Sequence, residues 1–250
     1  RKDPLLEAFL TSVSLAVAAI PEGLPAIVTI SLALGVQRMV KRHVLIRKLP
    51  SVETLGCATV ICSDKTGTLT QNEMTVRKIF ADGKTFDVSG TGYTPEGNFT
   101  INGMPLTETD HRIVKFILGI GALCNNAHLK RDNNSWKVIG DPTEGAILSA
   151  AAKTGIRKEE LAEKFPLISE IPFDSDRKKM STIRSTPHSV LLVCEKGAAD
   201  VILKDCTKIY SKGSIREITK KDIQFILNEN NKMAGAALRV LGTAFKPLDH

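Results

Sequence analysis

The feature that most constrains this chain is a long apolar segment near its N-terminus that is interrupted by two prolines. Residues 5–36 contain only two charged side chains, Glu7 and Glu22. A bilayer is crossed by about 20 apolar residues, so the segment is long enough to span a membrane. Pro21 and Pro25 flank Glu22 in the sequence PEGLP. Because proline removes a backbone donor and disrupts the preceding turn, we predict that the helix breaks there.

The predicted break offers oxygen ligands inside the membrane. Carbonyl groups freed around Val17, Ala18 and Ile20 would lie beside the carboxylate of Glu22, and oxygen ligands are those that a hard cation prefers. The alternative is a Pro-kinked helix whose Glu22 pairs with a neighbouring helix. Carboxylates inside a membrane are costly and usually functional, which favours a site for a transported cation.

A cluster of cations follows the apolar segment. Its members are Arg38, Lys41, Arg42, Arg47 and Lys48. By the positive-inside rule they predict an integral membrane protein whose residues after about 40 are cytosolic. The net charge is +7, but aromatic residues are scarce and do not alternate with basic ones, so we expect no nucleic-acid partner. The five cysteines include no CxxC pair, which indicates neither a zinc site nor a disulfide framework.

An aspartate follows a short apolar run that is rich in β-branched residues. The run, residues 58–62, predicts a buried parallel strand that ends near Asp64, and chemistry in open α/β sheets lies beyond the carboxyl ends of strands. A carboxylate there can attack phosphorus and form an acyl phosphate. Lys65 and the hydroxyls of Thr66 and Thr68 would bind the phosphoryl oxygens, and Mg²⁺ would neutralise the negative charge of the phosphate that faces the carboxylate. The alternative is an aspartate that only caps a turn.

The remainder of the chain alternates strand-like and helix-like pieces and contains no Walker A or GxGxxG string. We predict strands at 74–80 and 84–88 around an Asp-Gly turn, a surface loop at 90–103 and a helix near 111–124. Asp141 should cap a helix that runs to about 154, and Thr219 should start another. This mixture predicts an antiparallel sheet covered by helices.

The string DKTGTLT, which begins at Asp64, resembles the phosphorylation motif of P-type ATPases, the ion pumps that pass through an aspartyl phosphate. PEGLP, LPSVETLG at 49–56 and ICSDKTGTLTQNEM are similar to the calcium-pump branch, especially its bacterial and secretory-pathway members. The resemblance implies that ATP phosphorylates Asp64. It also implies that Thr66, with Asp64, helps to hold Mg²⁺ and phosphate.

Four later strings resemble the nucleotide-binding domain of the same pumps: GDPTEGAIL, FDSDRKKMS, EKGAADVIL and ALRVLGTAF. The resemblance implies that Glu144 contacts adenine, Phe173 stacks on it and Lys178 lies near the nucleotide. It further implies that Lys196 lies at the base of the adenosine pocket and that Arg239, on a strand, reaches the β-phosphate. Two structural alternatives stay open, because Glu144 could complete a helix cap and Phe173 could belong to the core.

Within these strings the chain departs from the family pattern at three positions. Ala199 stands where the family usually has Pro, and Asp200 replaces Glu. Ser175 stands where calcium pumps of the muscle type carry an Arg that touches phosphate.

The fold class implied is α/β plus α+β. It comprises a broken transmembrane helix (1–40), a stalk (41–55), the first part of a haloacid-dehalogenase-like Rossmannoid phosphorylation domain (56–75) and an antiparallel-sheet nucleotide-binding domain (76–250). Because TGES and TGDGxND strings do not occur, we expect a central fragment that is inactive alone and works with the remaining segments of the same pump. The expected activity is ATP-driven transport of Ca²⁺ across a lipid membrane, with Mn²⁺ or another cation as the alternative.

Two interpretations that assign the chain to a different functional class stay open. A haloacid-dehalogenase-type phosphatase also uses an aspartate at a strand end, but it usually keeps a second aspartate two residues later, where this chain has Thr66. The loss of that general acid would preserve the acyl phosphate. The other reading is a nucleotide-binding regulatory module without chemistry.

Overall fold

The computed structural model describes residues 4–21, 23–133, 135–188 and 190–248, and the side chain of Thr66 lies outside the described part. The chain divides into two compact units, Arg1–Lys65 and Thr66–His250.

The described residues of the first unit form three α-helices, α1 (Leu5–Ala18), α2 (Gly23–Val40) and α3 (Pro50–Gly56). The predicted break at PEGLP is confirmed, since α1 ends before Pro21 and α2 begins after it. The described side chains of α1 and α2 include none that is buried. By length and composition, Leu5–Val40 is apolar enough to cross a membrane.

The predicted buried strand before Asp64 is wrong. Residues 58–62 form no regular element, and the side chains of Val60 and Ile61 are 76% and 87% exposed. A parallel strand forms only when neighbouring strands pair with it and helices cover both faces. All strand pairs among the described residues are antiparallel, and none involves this run. The haloacid-dehalogenase-like domain and the domain boundaries therefore stay predictions.

The second unit begins with an antiparallel meander. Its strands are β1 (Lys78–Ala81), β2 (Lys84–Val88), β3 (Phe99–Ile101) and β4 (Met104–Pro105). The Asp-Gly turn between β1 and β2 is confirmed, and both of its residues have positive φ, as a two-residue hairpin requires. The predicted surface loop at 90–103 is partly wrong, because it contains β3 and because Tyr93 and Phe99 are buried.

A second antiparallel sheet positions most of the candidate nucleotide residues. Its strands are β7 (Leu167–Asp174), β8 (Lys179–Ser185), β9 (Leu191–Gly197) and β12 (Gly242–Leu248), in the order β12-β9-β8-β7. Two separate hairpins complete the described strands: β5 (His128–Asp132) with β6 (Ser135–Ile139), and β10 (Lys208–Ser211) with β11 (Ser214–Glu217).

Within the described part of the second unit there are five α-helices: α4 (Glu108–Leu123), α5 (Pro142–Lys153), α6 (Lys158–Lys164), α7 (Ala199–Asp205) and α8 (Lys220–Gly235). The predicted start of α5 is confirmed, because Asp141 Oδ1 accepts the N–H groups of Thr143 and Glu144 at 2.8 and 3.2 Å. The predicted start of α8 is also confirmed by a reciprocal capping box between Thr219 and Asp222.

Helix α4 lies at the centre of the second unit. One face packs with α5 and the meander in a core that includes Phe86, Val114 and Leu148. Another part packs against the second sheet through Leu123, Cys124 and neighbouring apolar residues. The carbonyl of Leu123, at the end of α4, accepts hydrogen bonds from Thr182 and from the buried guanidinium of Arg184. The expected antiparallel sheet with flanking helices is thus confirmed.

Candidate functional site

The site forms around an ion pair between Glu144, in the first turn of α5, and Lys196, on β9. The two side chains are only 13% and 8% exposed. The other carboxylate oxygen of Glu144 accepts the N–H groups of Asn126 and Ala127 at 2.9 and 3.0 Å. The side chain of Asp141, and not the carboxylate of Glu144, accepts the main-chain N–H groups at the start of α5. The alternative in which Glu144 serves the helix cap is therefore wrong.

The short loop between α4 and β5 supplies the two N–H groups that bind Glu144. Lys158 of α6 donates to the carbonyl of Ala127 in this loop at 2.6 Å. Burial lowers the pKa of Lys158, and nearby Glu144 partly offsets this effect. Burial also raises the pKa of the Cys124 thiol, at the start of the loop, to about 11. The Glu144–Lys196 pair thus lies against a loop in which Asn125 and Ala127 are buried and Asn126 is exposed.

A β-bulge determines which face of the sheet carries Phe173. Ile171 pairs with Ser181 and Asp174 pairs with Lys179, so two residues of β7 oppose the single residue Met180. Asp174 lies on the face of Lys179, and Phe173, one residue earlier, therefore lies on the opposite face. That face carries Met180 and its partner Lys196. Phe173 is 61% exposed, so the alternative that it belongs to the core is wrong.

The turn that carries Lys178 is attached to the end of β9. Lys178 has a positive φ of 54°, and its carbonyl accepts the N–H of Ala198 at 3.0 Å. A Cβ atom on Gly197 would lie 2.3 Å from the same carbonyl oxygen and 2.7 Å from Cα of Lys179. Only glycine allows this approach, and Lys178 and Lys196 are consequently held on adjoining segments.

Arg239 lies on an exposed segment before β12, and the expectation that it belongs to a strand is wrong, since β12 begins at Gly242. Burial alone would raise the pKa of Asp141. The N–H groups of Glu144 and Thr143 and the positive charge of Arg239 lower it instead. Arg239 therefore contributes positive potential at the start of α5.

Asp64 lies on an exposed segment, and a single π-helical turn, Lys65–Leu69, follows it. The hydroxyl of Ser63 donates to the main-chain oxygen of Asp64 at 3.1 Å. Gly67 has a φ of 75°, and its N–H donates to Thr70 Oγ1 at 3.4 Å. Within the described part of the chain, no group of three or more His, Cys, Asp or Glu side chains could hold a metal ion.

The predicted cation ligands lie where α1 ends. Ala18 is the last residue of that helix, and the carbonyl of Val17 accepts the N–H of Ile20 at 3.1 Å. Each carbonyl oxygen has two lone pairs, so this bond leaves Val17 able to bind a cation. Glu22 itself lies outside the described residues.

Sequence reasoning missed the loop residues Asn125, Asn126 and Ala127, and also Lys158. The string CNNA follows a helical pattern, and nothing in its residue types indicates that two main-chain N–H groups bind a carboxylate. A separate open depression of about 430 Å³ is lined by residues that include Gln71, Glu73, Tyr93 and Trp136. None of the predicted nucleotide residues lines it.

Comparison with known proteins identifies the class of domain to which this arrangement corresponds. A family model described as "P-type ATPase, cytoplasmic domain N" matches residues 114–250. That range contains the residues Glu144, Phe173, Lys178, Lys196 and Arg239.

The relatives that match almost the whole chain include three from different organisms. The "Calcium-transporting ATPase" of Bacillus subtilis (strain 168) is 46% identical over 247 residues, which are 98% of this chain and 27% of the relative. The "Cation-transporting ATPase pma1" of Synechocystis sp. is 43% identical over 256 residues, with coverage of 98% and 27%. The human "Calcium-transporting ATPase type 2C member 1" is 44% identical over 247 residues, with coverage of 97% and 26%. The chain thus spans about a quarter of the length of the curated relatives that it matches.

Proposed function

Because the chain belongs to the P-type ATPases, we propose that it is the central part of an ATP-driven cation pump whose Asp64 receives the terminal phosphate of ATP. The observation that carries this proposal is the buried pair of Glu144 and Lys196 together with the exposed ring of Phe173 on the face of the sheet that carries Lys196. The arrangement offers a flat aromatic surface, hydrogen-bonding groups and positive charge, which together suit a purine that bears phosphates.

In the proposed nucleotide complex, adenine stacks on Phe173 and contacts Glu144. Stacking of a base on an aromatic side chain contributes about 1–3 kcal/mol. Lys196 lies at the base of the pocket, and Lys178 and Arg239 provide positive charge for the phosphates. Ser175, where muscle-type calcium pumps carry an Arg, leaves one cation fewer for the phosphates.

In the proposed reaction, a carboxylate oxygen of Asp64 attacks the γ-phosphorus of ATP. The new bond is an acyl phosphate, and the bond from the γ-phosphorus to the bridging oxygen breaks. ADP leaves with that electron pair. The exposure of Asp64 supports this role, because an attacking carboxylate must be reachable by ATP.

The carboxylate of Asp64 also fits Mg²⁺, which takes one or two carboxylates together with phosphate oxygens and water. Thr66 would join it as a ligand, although its side chain lies outside the described part of the structure. The ion supplies positive charge that reduces the repulsion between the carboxylate and the phosphates.

The transported cation is proposed to bind at the break between α1 and α2, to the carbonyls of Val17, Ala18 and Ile20 and to the carboxylate of Glu22. Oxygen ligands suit Ca²⁺, and two of the relatives above are named as calcium transporters. Mn²⁺ is the alternative. The cations after α2 support a cytosolic location for the residues after about 40, where ATP is present.

The acceptor role is tested with Asp64→Asn in the complete pump. Wild type incubated with γ-labelled ATP and the transported ion should form an acid-stable phosphoenzyme, and the variant should form none, because an amide cannot accept the phosphoryl group. Asp132→Asn, which changes an exposed carboxylate in the β5–β6 hairpin, is the matched control and should label normally. Persistence of the label in Asp64→Asn would refute the assignment.

The ion site is tested with Glu22→Gln. Phosphoenzyme formation is measured against Ca²⁺, Mn²⁺, Na⁺ and proton concentration in the complete pump. The variant should need a higher concentration of the activating ion, since it loses the one charged ligand. Glu7→Gln changes the other carboxylate of the apolar segment and should leave the ion dependence unaltered. Equal ion dependence of wild type and Glu22→Gln would count against the site.

A further inference from the structure

The loop that encloses Glu144 is organised by a buried amide side chain. Asn125 follows α4 and is only 1% exposed. Burial of an amide is costly unless its donors and acceptors are satisfied. Its Oδ1 accepts the N–H of Ala127 at 2.9 Å, and its Nδ2 donates to the main-chain oxygen of Glu144 at 3.0 Å.

These two bonds have a geometric consequence for the carboxylate of Glu144. The first bond folds the loop back on itself across two residues, as an Asx turn does. In this conformation the N–H groups of Asn126 and Ala127 both point to Glu144 Oε2. The second bond attaches the same loop to the first turn of α5. Asn125 thus fixes the loop relative to Glu144 at two points.

Because Glu144 pairs with Lys196, the position of the loop also affects the position of Lys196. Two N–H groups hold one carboxylate oxygen of Glu144, and the other oxygen pairs with the Lys196 ammonium group. A carboxylate held at one oxygen presents the other in a fixed direction. The position of the ammonium group at the base of the pocket therefore depends on the loop.

We propose that Asn125 is a positioning residue for nucleotide binding, which acts through the loop 125–127 and Glu144 to hold Lys196 in place. This inference rests on the proposed function of the site as a nucleotide-binding site. Asn125 itself does not contact the nucleotide in this proposal.

The role requires a neutral side chain that both donates and accepts. An aspartate has the same shape and can still accept from Ala127, but when ionised it cannot donate to the oxygen of Glu144. Its protonated form has an O–H donor and recovers both bonds. The titratable and charged groups around the loop, from the elements packed against it, are Cys124, Glu144, Lys158, Glu170, Arg184 and Lys196.

The test is Asn125→Asp in the full chain, purified in detergent, with the fluorescent trinitrophenyl derivative of ATP as the probe and ATP as its competitor. At pH 8 the variant should bind the probe about tenfold more weakly than wild type, as expected when a buried hydrogen bond is lost. Burial and the nearby Glu144 raise the pKa of the introduced carboxyl and the charges of Lys158, Arg184 and Lys196 oppose them; because the position is only 1% exposed, we expect the carboxyl to be increasingly protonated at pH 6. The ratio of the two affinities should then fall to about twofold, within the usual spread of a conservative change.

The control for pH is Asn231→Asp, which adds the same charge to an exposed position in α8. Its affinity ratio to wild type should stay constant from pH 6 to 8. A constant ratio for Asn125→Asp as well would overturn the proposal, because a merely structural change has no reason to reverse on protonation. Thermal unfolding at each pH shows whether the protein is folded during the measurement.

Asn125→Ala removes both bonds and should bind weakly at every pH. Wild-type affinity of this variant would also overturn the proposal. If Asn125→Ala does not fold, the pH dependence of probe binding by Asn125→Asp still tests the proposal. Failure of wild type itself to bind the probe would contradict the proposed function and not the positioning role, and the two failures are thus distinguishable.

Discussion

Replacement of Glu144 by Gln should destabilise the second unit, because it leaves the ammonium group of Lys196 without its partner in a site that is nearly closed to solvent. The two side chains are 13% and 8% exposed in the ion pair. Removal of one partner of a buried pair costs about 3–5 kcal/mol. A glutamine has one oxygen, so its NH₂ group must face either Lys196 or the N–H groups of Asn126 and Ala127.

The lower end of that range suits this site, since one oxygen of the glutamine still accepts from the loop. We therefore expect a loss of about 3 kcal/mol in the free energy of unfolding. In a domain of this size each kcal/mol lowers Tm by about 2–4 °C, which predicts a decrease of about 6–12 °C. The chain has one tryptophan, Trp136 on β6 in the same unit, and its fluorescence reports the unfolding of the full chain in detergent.

A double-mutant cycle isolates the pair. Glu144→Gln combined with Lys196→Met should be less destabilised than the sum of the two single variants, by about 1–3 kcal/mol, because the double variant contains no unpaired buried charge. Glu163→Gln on the exposed face of α6 is the control and should change Tm by less than about 2 °C. Additive single effects, or a decrease of less than about 2 °C in Glu144→Gln, would refute the reasoning.

Three further predictions concern the described residues outside this pair. Gly197→Ala should lower the free energy of unfolding by about 1–3 kcal/mol in denaturation, because its Cβ would lie 2.3 Å from a main-chain oxygen; an unchanged midpoint would contradict this contact. The hydrogen bond from Lys84 lowers the pKa of Asp110, so the stability lost in Asp110→Asn should be evident at pH 7 and should disappear as the pH falls below about 4. Burial raises the pKa of Cys124 to about 11 and that of Cys194 to about 12. Both thiols should therefore react with a maleimide at pH 7.5 only after the protein unfolds. Rapid labelling of the folded protein, detected by mass spectrometry, would contradict their burial.

Local chemistry explains the parts of the fold that could be predicted from the sequence. The break at PEGLP follows from two prolines, the β1–β2 hairpin from an Asp-Gly pair, and the starts of α5 and α8 from Asp141 and Thr219. Each of these features depends on groups within about four residues of one another, so their residue types are sufficient to specify them.

The run before Asp64 shows the limit of that reasoning. Its β-branched residues are typical of a buried strand, yet residues 58–62 form none in the structure. Strand propensity is largely a preference for packing against neighbours, and a parallel strand obtains its hydrogen bonds from other segments. Composition alone therefore could not decide whether the strand forms.

The sequence by itself determined the membrane-length apolar segment, its break, the helix starts and the motif strings that identify the family. Only the tertiary structure decided that Glu144 binds the loop after α4 and pairs with Lys196, and that a bulge turns Phe173 to the same face of the sheet. The physical reason is that caps and tight turns depend on neighbours in sequence. Ion pairs and strand register depend on residues that are far apart in the chain and become neighbours only when the core has packed.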